Sequence, residues 1–227
     1  MGSRNSEIGY DDRVFINCPF DEAYLPLLHA ATFATYFCGF YPTSALAENN
    51  GLENRIDKIA RIIEQCRYGI HDISRTELNA AGWPRFNMPF ELGLFYGARR
   101  YGNKIQKIKN ALILERDKYS YQYFISDING IDIHAHENDH NRMIRHIRNW
   151  LSVNSKRMTI PGANVISENY FDFINRLPDL STAFGFSNIK ELPFTDFCDI
   201  LEGWLKVSPV RSSSPEELPF RIQETSK

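Results

Sequence analysis

Residues 13–20 read RVFINCPF, a short apolar run that ends at a proline. Such a run predicts a buried strand passing into a loop, because proline cannot donate a hydrogen bond to a neighbouring strand. The next segment, residues 24–37, carries Leu25, Leu28 and Phe33 at helical spacing. We therefore predict that the chain opens with a strand followed directly by a helix.

The alternation continues along the chain. Residues 39–45 predict a second strand, and residues 52–66 predict an amphipathic helix with Ile56, Ile59 and Ile63 on one face. Residues 68–74, YGIHDIS, predict a third strand that ends in polar side chains. Strands that alternate with helices in this way predict a parallel sheet with helices on both faces.

The same pattern extends to residue 153. After a polar loop at 75–87 we predict a helix over 88–100, with a proline near its start and Glu91 in its first turn. A fourth strand is predicted over 110–115, an edge element over 126–133 and a helix over 139–151. The fold class is therefore a three-layer α/β domain with a parallel sheet, spanning residues 13–153.

Three segments lie outside this domain. Residues 154–207 predict a small helical appendage that packs on it, with two helical stretches separated by Pro178 and Pro193. Residues 1–12 and the serine-rich and proline-rich residues 208–227 are expected to be flexible ends.

Composition narrows the possible partners. The 227 residues include 26 Lys and Arg against 28 Asp and Glu, a net charge of −2, so nucleic acid is not an expected partner. No apolar run reaches the ~18 residues that a membrane span needs, and residues 1–7 lack a secretory signal, so we expect a cytoplasmic protein. The four cysteines are widely spaced in apolar segments, which predicts reduced, buried thiols.

Polar residues gather at one edge of the predicted sheet. In an open parallel sheet, ligands bind beyond the carboxyl ends of the strands. No GxGxxG or Walker-type glycine loop is present in the sequence, which disfavours dinucleotide-binding Rossmann enzymes and P-loop ATPases. The candidate site residues at this edge are Asn17, Pro19, Phe20, Asp21, Asp72, Arg75, Arg85, Asn87 and Glu91.

One of these segments carries a resemblance. Residues 84–97, PRFNMPFELGLFYG, resemble the RxN-x-x-F-E-x-G-x-x-x-G segment of bacterial TIR-like nucleotide-binding proteins. Together with residues 14–20 and 71–74 they are also similar to the nucleoside 2-deoxyribosyltransferase superfamily, in which a glutamate follows a strand and opens a helix. The resemblance covers about residues 13–150 and implies a flavodoxin-like or TIR-like sheet.

The resemblance also implies a chemistry, namely cleavage of the bond between a ribose and its base. The most specific expectation is hydrolysis of the nicotinamide–ribose bond of NAD in bacterial antiphage defence, with NAD as substrate and no cofactor. The family's catalytic glutamate corresponds to Glu91, and its strand-end aspartate to Asp72. TIR-like proteins often assemble, so a homo-oligomer and a defence-system partner protein are expected. The chain departs from the deoxyribosyltransferases in lacking a glycine-aspartate pair before the glutamate.

Physical chemistry supports a carboxylate in this role. Cleavage passes through an oxocarbenium-like state, in which positive charge builds at the anomeric carbon. A carboxylate near that carbon stabilises the transition state more than the ground state. Arg75 or Arg85, with backbone N–H groups at residues 19–21, are the candidates for holding the phosphates.

Ordinary structural roles compete with these assignments. Glu91 would also serve as a first-turn carboxylate that complements the helix dipole, and Asp72 as a turn cap or a partner of Arg75. Turn, packing or capping roles are open for the loop residues Asn17, Pro19, Phe20, Arg85 and Asn87.

Alternative functions also remain open. One is deoxyribosyl transfer or hydrolysis on nucleosides or nucleotides, and another is a non-catalytic nucleotide-sensing or assembly module. The cluster HAHENDH at residues 134–140, followed by His146, has the composition of a zinc site. We favour a polar loop with a helix cap at Asp139 and predict no metal.

Overall fold

A computed structural model describes residues 8–75 and 85–207 of the chain. Its five strands form one sheet in which all paired neighbours are parallel, in the order β2-β1-β3-β4-β5. This is the strand order of flavodoxin-like doubly wound sheets, so the predicted fold class is confirmed. The strands are β1 (Arg13–Asn17), β2 (Tyr41–Thr43), β3 (Tyr68–Asp72), β4 (Asn110–Glu115) and β5 (Ile133–Ala135).

Helices cover both faces of the sheet. Their bounds are α1 (Leu25–Phe37), α2 (Arg55–Gln65), α3 (Asn87–Tyr101), α4 (His140–Asn154), α5 (Ala163–Ala183) and α6 (Phe194–Val207). Successive side chains of β1 point to opposite faces of the sheet. Val14 and Ile16 pack in the core with α1 and α4, whereas Phe15 packs with α2 on the other face. α3 packs against α2 on this second face.

The last two helices share the core of the sheet domain. α1 is buried on nearly all sides, because the sheet lies on one side of it and α5 and α6 on the other. The ring of Phe33 lies 5.7 Å from that of Phe173 in α5 and 5.9 Å from that of Trp204 in α6, measured between centroids. The C-terminal helices therefore form an additional layer that makes a uniformly apolar α1 stable.

Two predicted elements differ from the structure. α5 runs unbroken through Pro178, because Phe173 and Leu177 before it and Ser181 after it are all buried. This packing outweighs the cost of about 3 kcal/mol for a proline inside a helix. Pro193 does separate the helices, since α6 begins at the next residue.

The predicted edge element also lies elsewhere. Ser126–Ile128 forms a 3-10 helix, and the edge strand is β5, which pairs with residues 113–115 of β4. Gly130 between them has a φ of 92°, a left-handed conformation that interrupts the strand predicted over 126–133.

Of the N-terminal segment 1–12, which the sequence predicts to be flexible, residues 1–7 lie outside the described residues. Tyr10–Asp12 forms a 3-10 helix. It is held because the Arg67 amide donates to the Tyr10 carbonyl at 3.1 Å and the Tyr10 hydroxyl donates to the Ile105 carbonyl at 2.9 Å. The predicted flexible tail at 208–227 lies outside the described residues.

All four cysteines are buried thiols, as the sequence predicts. Within residues 8–75 and 85–207, no helix has the length and apolar character needed to cross a membrane.

A buried lysine donates hydrogen bonds to backbone carbonyls at the end of α2. Lys109 is only 2% exposed, and its Nζ donates to the Ile63 carbonyl at 2.6 Å and to the Cys66 carbonyl. The same Nζ lies 4.6 Å from the ring centroid of Phe95 and 5.3 Å from that of Tyr10. Burial lowers the pKa of Lys109 from 10.5 to about 8. The ammonium thus caps helix carbonyls at the expense of its own hydration.

This lowered pKa predicts a pH-dependent stability. Between pH 8 and 10.5 the unfolded chain holds a proton that the folded protein has released, so the free energy of unfolding should rise with pH across that window. The shift in the pKa of Lys109 corresponds to a change of about 3 kcal/mol in the free energy of unfolding across this window. The difference in unfolding free energy between wild type and Lys109→Met, measured by urea denaturation, should change by this amount across the window. The exposed Lys107→Met should show no such change, and a constant difference for Lys109→Met would contradict the assignment.

Candidate functional site

The candidate site lies where β1 and β3 end side by side. This is the switch point of the sheet, because the chain proceeds from β1 to one side and the later strands extend to the other. The start of α3 joins it: Asn17 Nδ2 at the end of β1 donates to the Met88 carbonyl at 2.9 Å. The same amide lies 3.1 Å from His71 Nδ1 in β3. These contacts place α3 against the carboxyl ends of both strands.

Glu91 lies on the buried face of α3. It is the fifth residue of the helix and 4% exposed, so its interpretation as a first-turn carboxylate is wrong. Its Oε1 lies 3.4 Å from Arg55 Nη2 at the start of α2. Burial raises the pKa of the Glu91 carboxyl, and the Arg55 guanidinium opposes part of that rise. Glu91 is thus a partly desolvated carboxyl that a single cation helps to keep ionised.

The partner of Glu91 reaches it from solvent. The Arg55 side chain is 54% exposed, whereas the Glu91 side chain is 5% exposed. An ion pair of this length with a half-exposed arginine is weak, because solvent screens the exposed guanidinium. Sequence reasoning did not identify Arg55. The available signal was its position at the start of α2, because β2 leads into that helix from the same edge of the sheet.

Asp72 has a different environment. It is 1% exposed, and its Oδ2 accepts from the Tyr24 hydroxyl and lies 2.9 Å from His136 Nε2. Its Oδ1 accepts from the Ser74 amide at 2.8 Å, which confirms the turn-capping interpretation. Arg75 does not pair with it and contacts Asp21 instead. Three donors hold this carboxylate in the interior, an arrangement typical of a structural anchor.

Ser74, His136 and Asp72 resemble a nucleophilic triad by composition, but their geometry is not that of one. Ser74 Oγ and Asp72 Oδ2 both contact the same ring nitrogen, His136 Nε2, at 3.1 Å and 2.9 Å. His136 Nδ1 accepts from the Asn138 amide at 3.0 Å, so the proton of the neutral ring is on Nε2. A triad requires the serine and the carboxylate on opposite ring nitrogens, so this histidine cannot activate Ser74.

The other histidines do not join His136. The rings of His134 and His146 stack with centroids 4.9 Å apart, while His136 turns inward to Asp72. In the part of the chain that the structure describes, no three His, Cys, Asp or Glu side chains are grouped to hold a metal ion. Asp139 caps α4 by accepting from the Arg142 amide at 2.7 Å, as the sequence predicts.

Two arginines converge on Asp21. Arg75 Nη2 lies 3.2 Å from Asp21 Oδ1, and Arg85 Nη1 lies 3.7 Å from Asp21 Oδ2. Both guanidinium side chains are partly exposed, at 35% and 53%. The two residues border the segment 76–84, which lies outside the described residues. Asp21 therefore positions a pair of cations beside the end of β1.

Three acidic residues of the site affect one buried thiol, that of Cys18. Burial raises the pKa of Cys18, and the carboxylates of Asp72, Glu91 and Asp21 raise it further in that order. Cys18 directly follows β1. The negative charges of these carboxylates therefore disfavour ionisation of a thiol at this position.

The remaining predicted site residues differ in burial and in their contacts. Asn17 is buried and joins β1 to α3, Pro19 is buried, and Phe20 is half-buried against the larger core. Asn87 is an exposed first residue of α3, and Phe86 precedes the helix, so the capping interpretation of Asn87 is wrong.

Sequence reasoning also missed buried groups that shape the site. His71 packs against the rings of Phe15 and Phe95, with centroids at 5.7 Å and 4.8 Å. Burial, and secondarily Lys109, lower the pKa of His71 to about 3, so this ring is neutral. Its position near the polar end of β3 was the only sequence signal.

No family model, curated protein or solved structure matches this chain. Assignment of the site therefore depends on its geometry and on the chemistry of its side chains.

Replacement of the buried anchor should destabilise the fold. Asp72→Asn places an amide group where the carboxylate accepts from Tyr24, Ser74 and His136, so at least one donor faces another donor. We expect a loss of about 2–4 kcal/mol in unfolding free energy, measured by chemical denaturation. Asp132→Asn, at a side chain that is 90% exposed, is the matched control and should change stability little. Equal stability of the two variants would show that Asp72 is not an anchor.

Proposed function

We propose that the protein is a nucleotide N-glycosidase that cleaves the nicotinamide–ribose bond of NAD, with Glu91 as the essential carboxylate. The observation that carries the proposal is the placement of Glu91. It is a buried carboxyl with a raised pKa at the switch point between β1 and β3, and its cationic partner Arg55 is half-exposed. The resemblance of residues 84–97 to TIR-like proteins supports the same residue.

The reaction needs little from the protein beyond this carboxylate. When nicotinamide leaves NAD, it takes the electrons of the glycosidic bond and departs as a neutral molecule, so no general acid is required. Ionised Glu91 would stabilise the positive charge that develops at the anomeric carbon, or attack that carbon directly. Water then completes the reaction and gives nicotinamide, ADP-ribose and a proton.

The arginines suit the diphosphate of such a substrate. Arg75 and Arg85 lie on either side of Asp21, each with its guanidinium partly in solvent. A planar guanidinium matches phosphate oxygens in a two-point contact. In this proposal Asp21 orients the two cations until substrate phosphates take over part of the pairing. Asp72 acts as a positioning residue that fixes the adjacent loop.

A second candidate substrate class is favoured by the same pairing. Because Asp21 already partners both arginines, an uncharged nucleoside would leave these ion pairs intact. Deoxyribosyl transfer or hydrolysis on nucleosides would use the same Glu91. Comparing NAD, nucleoside monophosphates and nucleosides as substrates separates these activities, and binding without turnover would favour a non-catalytic module.

The cellular setting is part of the proposal as well. TIR-like proteins often complete their sites by assembly, so we propose that this chain acts as a homo-oligomer in bacterial antiphage defence, with a defence-system partner protein. Assays should therefore include conditions that promote self-association.

Glu91→Gln tests the proposal directly. The amide keeps the shape of the side chain but carries no charge, so nicotinamide release should fall by about 10²–10³-fold or more. Glu168→Gln, at an exposed position of α5, should retain wild-type activity. Chromatography of the products and thermal melting of each variant separate loss of chemistry from loss of fold. A Glu91→Gln protein that releases nicotinamide at the native rate would eliminate the mechanism.

The pH profile tests the role of Arg55. The pKa of Glu91 is raised by burial and held down in part by Arg55, so activity should fall as the pH drops through this raised pKa. Arg55→Gln removes the opposing charge, and the acid limb of the rate profile should move to higher pH. Arg100→Gln, at an exposed position near the end of α3, is the control and should leave the limb unchanged. An acid limb that stays in place in Arg55→Gln would show that the ion pair does not control Glu91.

A further inference from the structure

Two buried side chains, Asn17 at the end of β1 and His71 in β3, meet beside the start of α3. Asn17 is 1% exposed and His71 is fully buried. The Met88 carbonyl can only accept a hydrogen bond, so the amide nitrogen of Asn17 faces it and donates at 2.9 Å. The second hydrogen of this nitrogen donates to His71 Nδ1 at 3.1 Å. Both hydrogens of the amide are therefore used in joining β1 to β3 and to α3.

The hydrogen bond from Asn17 fixes the tautomer of His71. Because Nδ1 accepts, the ring proton is on Nε2. Nε2 is buried and has no hydrogen-bond partner among the described residues. It lies against Gly69, where an added Cβ would be 2.6 Å from Nε2 and 2.9 Å from the Phe95 ring, so only glycine leaves room for the two rings. Burial lowers the pKa of His71 to about 3, and Nδ1 therefore remains an acceptor throughout the neutral range.

His71 also contacts α3 directly, through the ring of Phe95. The two ring centroids lie 4.8 Å apart, with the ring planes at 65°. Met88 precedes Glu91 by three residues and Phe95 follows it by four, and residues at these spacings share one face of a helix. This face of α3 is thus held on both sides of Glu91, by a hydrogen bond at Met88 and by ring packing at Phe95.

The rotation of α3 about its axis decides whether Glu91 meets water. Phe90, the preceding residue, is 58% exposed, whereas Glu91 is 4% exposed. Consecutive residues of a helix point in directions about 100° apart, so a modest rotation of α3 would bring the carboxyl toward solvent. Burial raises the pKa of Glu91, and only part of that rise is opposed by Arg55. The contacts at Met88 and Phe95 therefore act on the property that distinguishes this carboxyl.

We propose that Asn17 and His71 are positioning residues for Glu91, which fix the rotation of α3 and keep the carboxylate at the switch point between β1 and β3. His71 is a constant acceptor that orients the Asn17 amide, and Asn17 in turn holds the first turn of α3. The importance of this arrangement for the reaction rests on the proposed function, whereas the positioning itself is a property of the fold.

The titration of Glu91 tests the positioning without an enzyme assay. In protein isotope-labelled at the glutamate carboxyl carbons, the Glu91 resonance is the one that is missing from Glu91→Gln, and its chemical shift against pH gives the pKa. His71→Leu removes the acceptor, and Asn17→Leu removes the donors. In each variant the midpoint of the Glu91 titration should move to lower pH, because water reaches the carboxylate of a less constrained α3.

Two control variants separate positioning from loss of stability. His71→Asn introduces a side chain of nearly the same shape as His71→Leu but keeps an acceptor near the position of Nδ1, so its Glu91 titration should stay close to that of the wild type. Ile147→Val shortens a fully buried side chain of α4 in the core on the other face of the sheet. It should lower the melting temperature and leave the Glu91 titration unchanged.

Kinetics give a second readout for the proposed reaction. His71→Leu misplaces Glu91 but leaves the arginines that pair with Asp21 in place. It should therefore lower kcat for nicotinamide release by about 10–100-fold and change KM little. His71→Asn should recover most of this loss.

Three results would overturn the proposal: a Glu91 titration that is unchanged in His71→Leu and Asn17→Leu, a titration that moves equally in Ile147→Val, or equal behaviour of His71→Asn and His71→Leu. Either Leu variant alone decides the first point if the other does not fold. A titration that moves as expected in a protein that releases no nicotinamide would support the positioning and contradict the proposed N-glycosidase instead.

Discussion

The buried carboxylate of Asp72 joins the parts of the molecule that form the carboxyl edge of the sheet. Its partners come from just before α1, from the turn after β3 and from the turn after β5, through Tyr24, Ser74 and His136. A carboxylate removed from water must be compensated by donors of this kind. The resulting constraint sets where the chain leaves β3 and how the adjacent loops approach the site.

Among the residues that the structure describes, three carboxyl groups are buried at this edge, and they differ in what surrounds them. Asp72 is satisfied by uncharged donors, and Glu115 at the end of β4 accepts from the Tyr119 amide, the Ser120 hydroxyl and the Tyr121 amide. Glu91 instead contacts a half-exposed arginine across 3.4 Å. Two of the groups therefore stabilise loops, whereas the charged partner of the third, Arg55, is half-exposed. Different environments assign different roles to chemically similar side chains.

The opposite edge is organised by side-chain donors, one amide and one ammonium, rather than by carboxylates. Lys109 and Gln106 both donate to carbonyls at the end of α2, where the helix itself supplies few donors. Both residues are buried, and hydrogen bonds within the fold only partly replace their hydration. The pKa of Lys109 is lowered, and the Oε1 of Gln106 has no hydrogen-bond partner among the described residues. The two edges thus carry different chemistry on a common sheet.

Local pattern in the sequence was sufficient to predict the parallel α/β class, the strands near 13–17, 68–72 and 110–115 and the cap at Asp139. Glu91 became the leading candidate only through the resemblance of residues 84–97. Hydrophobic periodicity and helix capping depend on residues that are close together in the chain, so they can be recognised from the sequence alone. Tertiary structure alone decided that α5 continues through Pro178, that the edge strand begins at Ile133 and that Asn87 is not a cap. It also decided the partners of the buried carboxylates, since Tyr24 and Asp72 are 48 residues apart and Arg55 and Glu91 are 36 apart. Such pairings arise from packing across the sheet, where desolvation makes a distant donor or cation decisive.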